Sequence, residues 1–540
     1  MTIHCAEWGL LLVMAAARVP VSHGHLTHLP KAAPAKVALK QANIALVGVP
    51  SLLYKGQTRA FSVVGARAAA AVVESSDEQV VKVTKASGGY RIQAIGAGQA
   101  NVTAVADGEA HVTPVIVRAY AAMFPQSLRA DVVGEPAAAE TVRGAIEYAV
   151  QTQAEVEPGV NVKIVDVHPC SLAPGDAHDF SARVRAYGQG FMTGEGIVTI
   201  KVHNLDLPPK RETELWFSDN PEKLEGVGPL FASKLSSDAP VRVLFHHIND
   251  TKDLLFLKLQ AVNDSDQAAQ LVVTPGGSPP DMNPVRAGIR AADEFVRGWQ
   301  TNSGEVVNLP PHTSLPIALR SLAPQQTESG LCALRLLPGG PDSLLIREDV
   351  SPPFPVPGRW GEAVAWSAPW RAVGATKILD WHLPPSPDTQ EIYPNPYQEV
   401  EATYAAGSKA TFIRIGEEAL AARDATRHLD GDYGVVYNVH AVMNNPNAVP
   451  EDVEFVFEAS GGYSGALVVL DGLVLQTPLL QPHCEYRLRK YHLLPGESKE
   501  IRFSTVPLSG SSYPCTFDLR QVGSKESYGN LPGMKWSPKK

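Results

Sequence analysis

Apolar and polar residues alternate with period two in segment after segment of this 540-residue chain. Val198, Ile200 and Val202 oppose Thr199, Lys201 and His203. Leu255, Leu257, Leu259 and Ala261 oppose Lys258 and Gln260. Val453, Phe455 and Phe457 oppose Glu454 and Glu458, and Ile501 and Phe503 oppose Glu500 and Arg502. Successive side chains of a strand point to opposite faces, so this spacing gives one face to a core and one to water. Each segment therefore predicts a half-buried antiparallel strand. The same alternation in Ile146, Tyr148, Val150, Thr152, Ala154 and Val156 predicts a further strand, with a helix over 137–148 as the weaker fit.

Two turn phrases punctuate these segments. One opens strands: LAPGDAHDFSARV (172–184), LPPHTSLPIAL (309–319) and LLPGESKEIRF (493–503). Proline and glycine set the turn, and the polar residues lead out of it. The other closes strands with asparagine: Val202-His203-Asn204, Val262-Asn263-Asp264 and Met443-Asn444-Asn445-Pro446. Their recurrence predicts several sandwiches of related design, at spacings too irregular for a solenoid. One helix is expected over 284–299. Asn283 caps it, Pro284 fits its first turn, and Val285, Ile289, Ala292, Phe295, Val296 and Trp299 form one apolar stripe. The fold class is all-β: tandem immunoglobulin-like β-sandwiches with one short helix.

At 44% hydrophobic and 19% charged residues the chain can bury real cores. Its net charge of -9 and the lack of any Lys/Arg cluster beyond Lys539-Lys540 argue against a nucleic-acid partner. The apolar run Trp8–Ala17 has signal-peptide length, with small residues at Ala15-Ala16-Ala17 and Ser22-His23-Gly24, although no Lys or Arg precedes it. No later stretch is apolar enough for a membrane helix. The expected organisation is a signal peptide (1–24), an Ala/Pro/Lys-rich tether (25–42), a first sandwich (43–119), one or two sandwiches (137–350), a C-terminal sandwich (360–522) and a tail (523–540). The proline run Pro352-Pro353-Phe354-Pro355-Val356-Pro357-Gly358 marks the clearest boundary.

In the first sandwich, Ser75-Ser76-Asp77, Val81, Val83 and AIGAGQANVTAVADG (94–108) resemble the group 2 bacterial immunoglobulin-like domain. The resemblance covers 43–119 only. It implies a spacer or adhesion module of surface proteins and brings no catalytic residues. YPNPYQEVEATYAAGSKATFIRIG (393–416), GDYGVVYNVHAVMNNP (431–446) and GSSYPCTFDL (510–519) resemble secreted bacterial proteins of no assigned activity, which implies export alone.

No catalytic, cofactor or metal site emerges. Gly462-Tyr463-Ser464-Gly465 lacks the last glycine of a nucleophile elbow and lies between strands. His246 and His247 are adjacent, so a strand points them to opposite faces, and a metal would need His203 or His440 as well. Asn263-Asp264-Ser265-Asp266 and Asp430-Gly431-Asp432 have oxygens for calcium but read as tight turns. His25 and His28 would sit on an unsupported tail after cleavage at Gly24. Without Cys5 in the leader, four cysteines remain. Cys484 and Cys515 are the expected disulfide, leaving Cys170 and Cys332 to pair or stay free. Trp360, Trp366, Trp370 and Trp381 cluster with Tyr393 and Tyr397, either as core and loop packing or as ligand-contact rings. The expected function is a non-enzymatic secreted, periplasmic or cell-surface protein with an adhesion, binding or structural role. Its partner would be a surface ligand, a polysaccharide or a protein. The alternative is a secreted carbohydrate-active or carbohydrate-binding protein using the segment 360–397.

Overall fold

The computed structural model describes residues 43–157, 160–353, 376–377, 391–524 and 534–536. Strands dominate, with two α-helices among the described residues. The N-terminal part is a sandwich of two four-stranded sheets. One runs Ala45–Val47, Thr58–Val64, Gly89–Ala94, Val81–Ala86, and the other Leu52–Tyr54, Glu109–Arg118, Gly98–Ala106, Val72–Ser75, in those spatial orders. Phe61, Val81, Ile92, Val102 and Val115 fill the space between them. Asp107 and Gly108 join two strands in a two-residue loop, at φ 46° and 80°. Asp and Gly tolerate those left-handed angles, which a tight hairpin requires.

The central part is built on an eleven-stranded sheet. Its first stretch holds Asn161–Asp166, Ala177–Tyr187, Gly194–Asn204 and Ser127–Val133, with helix α1 (Ala139–Gln153) packed on them. The sheet continues through Gly304–Leu309, Ala269–Thr274, Thr327–Leu336, Val241–Asn249, Glu214–Ser218 and Glu391–Pro394. One face of this second stretch meets a five-stranded sheet that includes Ser343–Ser351, Leu255–Asn263 and Thr313–Leu322. Its other face carries α2 (Pro284–Trp299) and the C-terminal sandwich. That sandwich pairs Tyr397–Ala405, Val436–Asn444, Ser498–Thr505, Leu467–Leu470 and Leu473–Gln476 in one sheet with Thr411–Ile415, Cys515–Gln521, Glu451–Glu458, Cys484–Leu493 and Met534–Trp536 in the other. Phe455, Phe503 and Phe517 pack at its centre with ring centroids 4.8–5.6 Å apart.

Helix α2 forms as the sequence predicts, with Asn283 Oδ1 accepting from the Arg286 backbone N–H at 3.0 Å. The alternation over 146–156 does not give the expected strand. Residues 139–153 are helical, and only Glu155–Val156 extends, against Ala122–Met123. Val142, Ala145, Ile146, Ala149 and Val150 are buried together, a helical stripe laid against the sheet. Ala and Gln favour a helix, Glu140 suits its positive end, and the neighbouring sheet supplies the packing that decides between two possible periods.

Two predicted wet faces are also buried. Lys258 and Gln260 are fully covered, with Lys258 Nζ 3.6 Å from Asp349 Oδ1. Glu454 is fully covered too and accepts from Arg520 Nε at 3.0 Å. Alternation registers polarity, and ion pairs let a polar face be packed over.

The two turn phrases belong to one device. Asn204 Nδ2 donates to the Leu172 carbonyl (2.8 Å), Asn263 Nδ2 to Leu309 (3.1 Å) and Asn445 Nδ2 to Leu493 (3.1 Å). A fourth copy, Asn249 to Leu322 (2.8 Å), was not expected from the sequence. The residue after each turn proline is left-handed: Gly175 (φ 79°), His312 (53°), Gln325 (66°) and Gly496 (74°). All four asparagines are buried.

Arg242 joins the central and C-terminal parts. It is fully buried, donates to the Gly434 carbonyl (2.7 Å), the Glu212 carboxylate (2.5 Å) and Tyr397 Oη (3.0 Å), and lies over the Phe295 ring.

Candidate functional site

Trp360, Trp366, Trp370 and Trp381 lie outside the described residues, as do the leader, the tether, His25 and His28. The two tyrosines grouped with those tryptophans are engaged elsewhere. Tyr393 is buried and donates to Glu391 Oε2 at 3.2 Å, and Tyr397 donates to Glu212.

Cys484 and Cys515 are free thiols, not the expected disulfide. Both flank Glu451–Glu458, whose Glu458 faces Glu485 on one side and Thr516 on the other. A whole strand therefore separates them, about 10 Å at the spacing of neighbouring strands. A disulfide needs Cα atoms within about 7 Å. Cys515 Sγ instead points to the Ser512 carbonyl at 3.2 Å.

Ser464 is buried, with its Oγ donating to the Ser512 carbonyl. Asn263 Oδ1 accepts from the Ser265 N–H (3.2 Å), closing a turn. Asp432 is buried, accepting from the Leu420 N–H (2.8 Å) and Tyr437 Oη. His203 lies beside Asp131, and His440 lies between Glu401 (2.8 Å) and Glu500 (3.3 Å), so neither joins His246 and His247.

His246 and His247 are both buried. Burial pushes His246 down to about 3, so it is neutral. His247 faces inward at the end of the central core. It stands opposite Glu328 on the neighbouring strand, with Nε2 3.5 Å from Glu348 Oε1 of the facing sheet. Burial opposes its charge, yet Glu348, Asp219 and the Pro221 carbonyl raise its proton affinity overall. Burial raises Glu328 and Asp219 to about 8 each, and Arg320 lies 3.5 Å from Glu328. Sequence periodicity could not find this cluster, because its members come from separate strands of two sheets.

Glu458, Glu485 and Asp518 offer oxygens within 4.8 Å of one another, a spacing that could hold a cation. Arg520 already bonds two of the three: Glu485 at 3.0 and 2.6 Å and Asp518 at 3.1 Å. Its fixed charge there disfavours a metal ion.

Two open concavities lie on the C-terminal sandwich. One, of about 510 Å³, runs over the outer face of the sheet holding His440, and includes Arg211, Glu399, Asn438, Asp471 and Arg502. Several of these groups satisfy one another: Arg211 with Glu399 (3.2 Å), Asn438 with Glu399 (2.9 Å) and Ser504 with Asn438 (2.8 Å). The other, of about 480 Å³, lies on the opposite sheet and is lined by Phe412, Arg414, Glu458, Ser460, His483 and Thr516, among others. Both volumes fall in the range of small-molecule sites.

No family model matches the chain, and no curated protein matches it. Solved structures that it resembles include domains from titin, at 12% identity over 40% of this chain and 78% of that one, with a TM-score of 0.15. Another is SGBP-B of a Bacteroides ovatus mixed-linkage glucan utilization locus, solved with a mixed-linkage heptasaccharide (10% identity, 57% and 73% covered, TM-score 0.12). A third is Lac15 from a marine microbial metagenome (11% identity, 89% and 90% covered, TM-score 0.11). TM-scores this low carry no argument about ligand or fold. No helix among the described residues is long and apolar enough to cross a membrane.

Proposed function

We propose that the protein is a non-enzymatic secreted or cell-surface protein whose sandwiches form a stiff body and present binding grooves on the C-terminal sandwich. One observation carries the reading. The buried charged cluster of His247, Glu328 and Glu348 is closed off between two sheets, whereas the open concavities lie on strand faces. A reacting group must reach its substrate, and these three are fully covered. A rigid scaffold with polar surface grooves suits recognition. The leader-like run Trp8–Ala17 supports export. Fractionation of cells producing the full chain with a C-terminal tag tests this. The expected result is processed protein outside the cytoplasm, accessible to added protease. Full-length cytosolic protein with Met1 intact would overturn it.

A further inference from the structure

The strand Thr411–Ile415 buries Ile413 and Ile415 in the C-terminal core and turns Phe412 and Arg414 outward. Phe412 is 59% exposed, a large apolar ring left in water on the floor of the 480 Å³ groove. Around it the polar groups are already oriented. Arg414 Nη1 donates to Thr516 Oγ1 at 3.1 Å, and that hydroxyl shares a 2.8 Å hydrogen bond with Ser460 Oγ. His483 Nδ1 lies 3.9 Å from the half-buried Glu458 carboxylate, too far for a hydrogen bond. Burial and the neighbouring Glu485 raise the proton affinity of Glu458. The groove thus joins one flat apolar face to a guanidinium, an imidazole and a carboxyl group that retain bonding capacity.

We propose that this groove binds a sugar ring of a neutral polysaccharide, naming a ligand class for the binding role inferred above and resting on that reading. A pyranose has a C–H face that stacks on an aromatic ring and a rim of hydroxyls that both donate and accept. Phe412 receives the face, and Arg414, Glu458 and His483 bond the rim. The mixed signs of the lining, with Arg414 and His483 beside Glu458, favour a neutral ligand over a polyanion, which would meet the Glu458 carboxyl.

Affinity electrophoresis of the full chain through gels containing β-glucan, xylan, galactomannan or dextran tests the proposal. Retardation by at least one polysaccharide is expected. Phe412→Ala should weaken it at least tenfold, Glu458→Gln should weaken it less, and Phe412→Trp should retain it. Because Phe412 is exposed, the thermal unfolding of Phe412→Ala should match the parent. Retardation by none of the four, or equal retardation of parent and Phe412→Ala, would overturn the assignment. Either result leaves the exported binding role standing, since that role fails only if the protein remains in the cytosol.

Discussion

Asn445 donates its side-chain amide to the Leu493 carbonyl at 3.1 Å and to the Val449 carbonyl at 2.8 Å, while its Oδ1 accepts from the Asn447 N–H at 3.0 Å. One buried side chain thereby closes its own turn and ties it to the proline turn of another strand. Asn445→Ala leaves those backbone groups without partners where water is scarce. A loss of about 2–3 kcal/mol is expected, read as a lower urea midpoint at unchanged slope. Asn249→Ala should behave alike, because Asn249 bonds Leu322 and Asp253 in the same way. A midpoint equal to the parent's in both variants would show that the motif does not hold the turns.

The buried cluster around His247 makes stability depend on pH with a definite sign. His247 has a raised proton affinity in the fold, so its contribution is complete below the unfolded value near 6.5 and fades as pH rises through the folded value. Glu328 and Asp219, raised to about 8, act in the same direction, because the unfolded chain releases those protons first. His246, lowered to about 3, opposes them only below 6.5, where the unfolded chain gains a proton that the fold refuses. Between pH 6.5 and 8 all terms agree, and stability should fall by about 1.4 kcal/mol per pH unit for each proton of difference. Thermal unfolding should show this decline, and Glu328→Gln should flatten it. A midpoint rising from pH 6.5 to 8 would contradict the assignment.

The fold was legible where one segment dictates its own geometry. Asn283, Pro284 and the stripe from Val285 to Trp299 specify α2 without help from the rest of the chain. The Leu-x-Pro turns and the strand-ending asparagines were visible as phrases, but the hydrogen bonds between them cross 32 to 48 residues. Residues 139–153 allowed two periods, and the sheet beneath Val142 and Ile146 selects one. Cys484 and Cys515 seemed close because one strand–turn phrase separates them in sequence, yet sheet order inserts Glu451–Glu458 between them. Phe412 gave no signal in sequence. Its exposure follows from Ile413 and Ile415 taking the inward positions.

Helix α2 approaches the C-terminal sandwich through a glycine. A Cβ on Gly288 would lie 1.9 Å from the Ser509 carbonyl oxygen, a backbone atom that cannot yield without moving its loop. Gly288→Ala should therefore cost about 1–3 kcal/mol by forcing the helix away, against the slight gain that alanine brings to an open helix position. Gly226→Ala, in a loop where nothing lies within 4 Å, is the control for a glycine replaced in open space. Chemical unfolding of both variants decides it, and equal stabilities would mean that the close approach is not constraining.

Two cuts in the chain have opposite expected outcomes. The core of the N-terminal sandwich is drawn from Ile44 to Val117. The Lys55–Glu157 ion pair, between partly exposed side chains, links it to the central part, and such pairs contribute little. Fragments 43–119 and 120–540 should each unfold cooperatively, the first despite its small size. A cut within the proline run, at 353, should behave differently. Leu215, Phe217, Leu244 and Leu331 of the central sheet, together with Val285, Ile289 and Phe295 of α2, share one core with Val436, Leu467 and Leu508. Glu214–Ser218 also pairs with Glu391–Pro394 across that cut. Fragment 120–353 would expose that apolar face and leave the Arg242 guanidinium without the Gly434 carbonyl and Tyr397. It should aggregate or lack a cooperative transition, and co-expression with 354–540 should rescue it. A soluble, cooperatively folded 120–353 would show that the sandwiches are independent and that their shared core is only a contact.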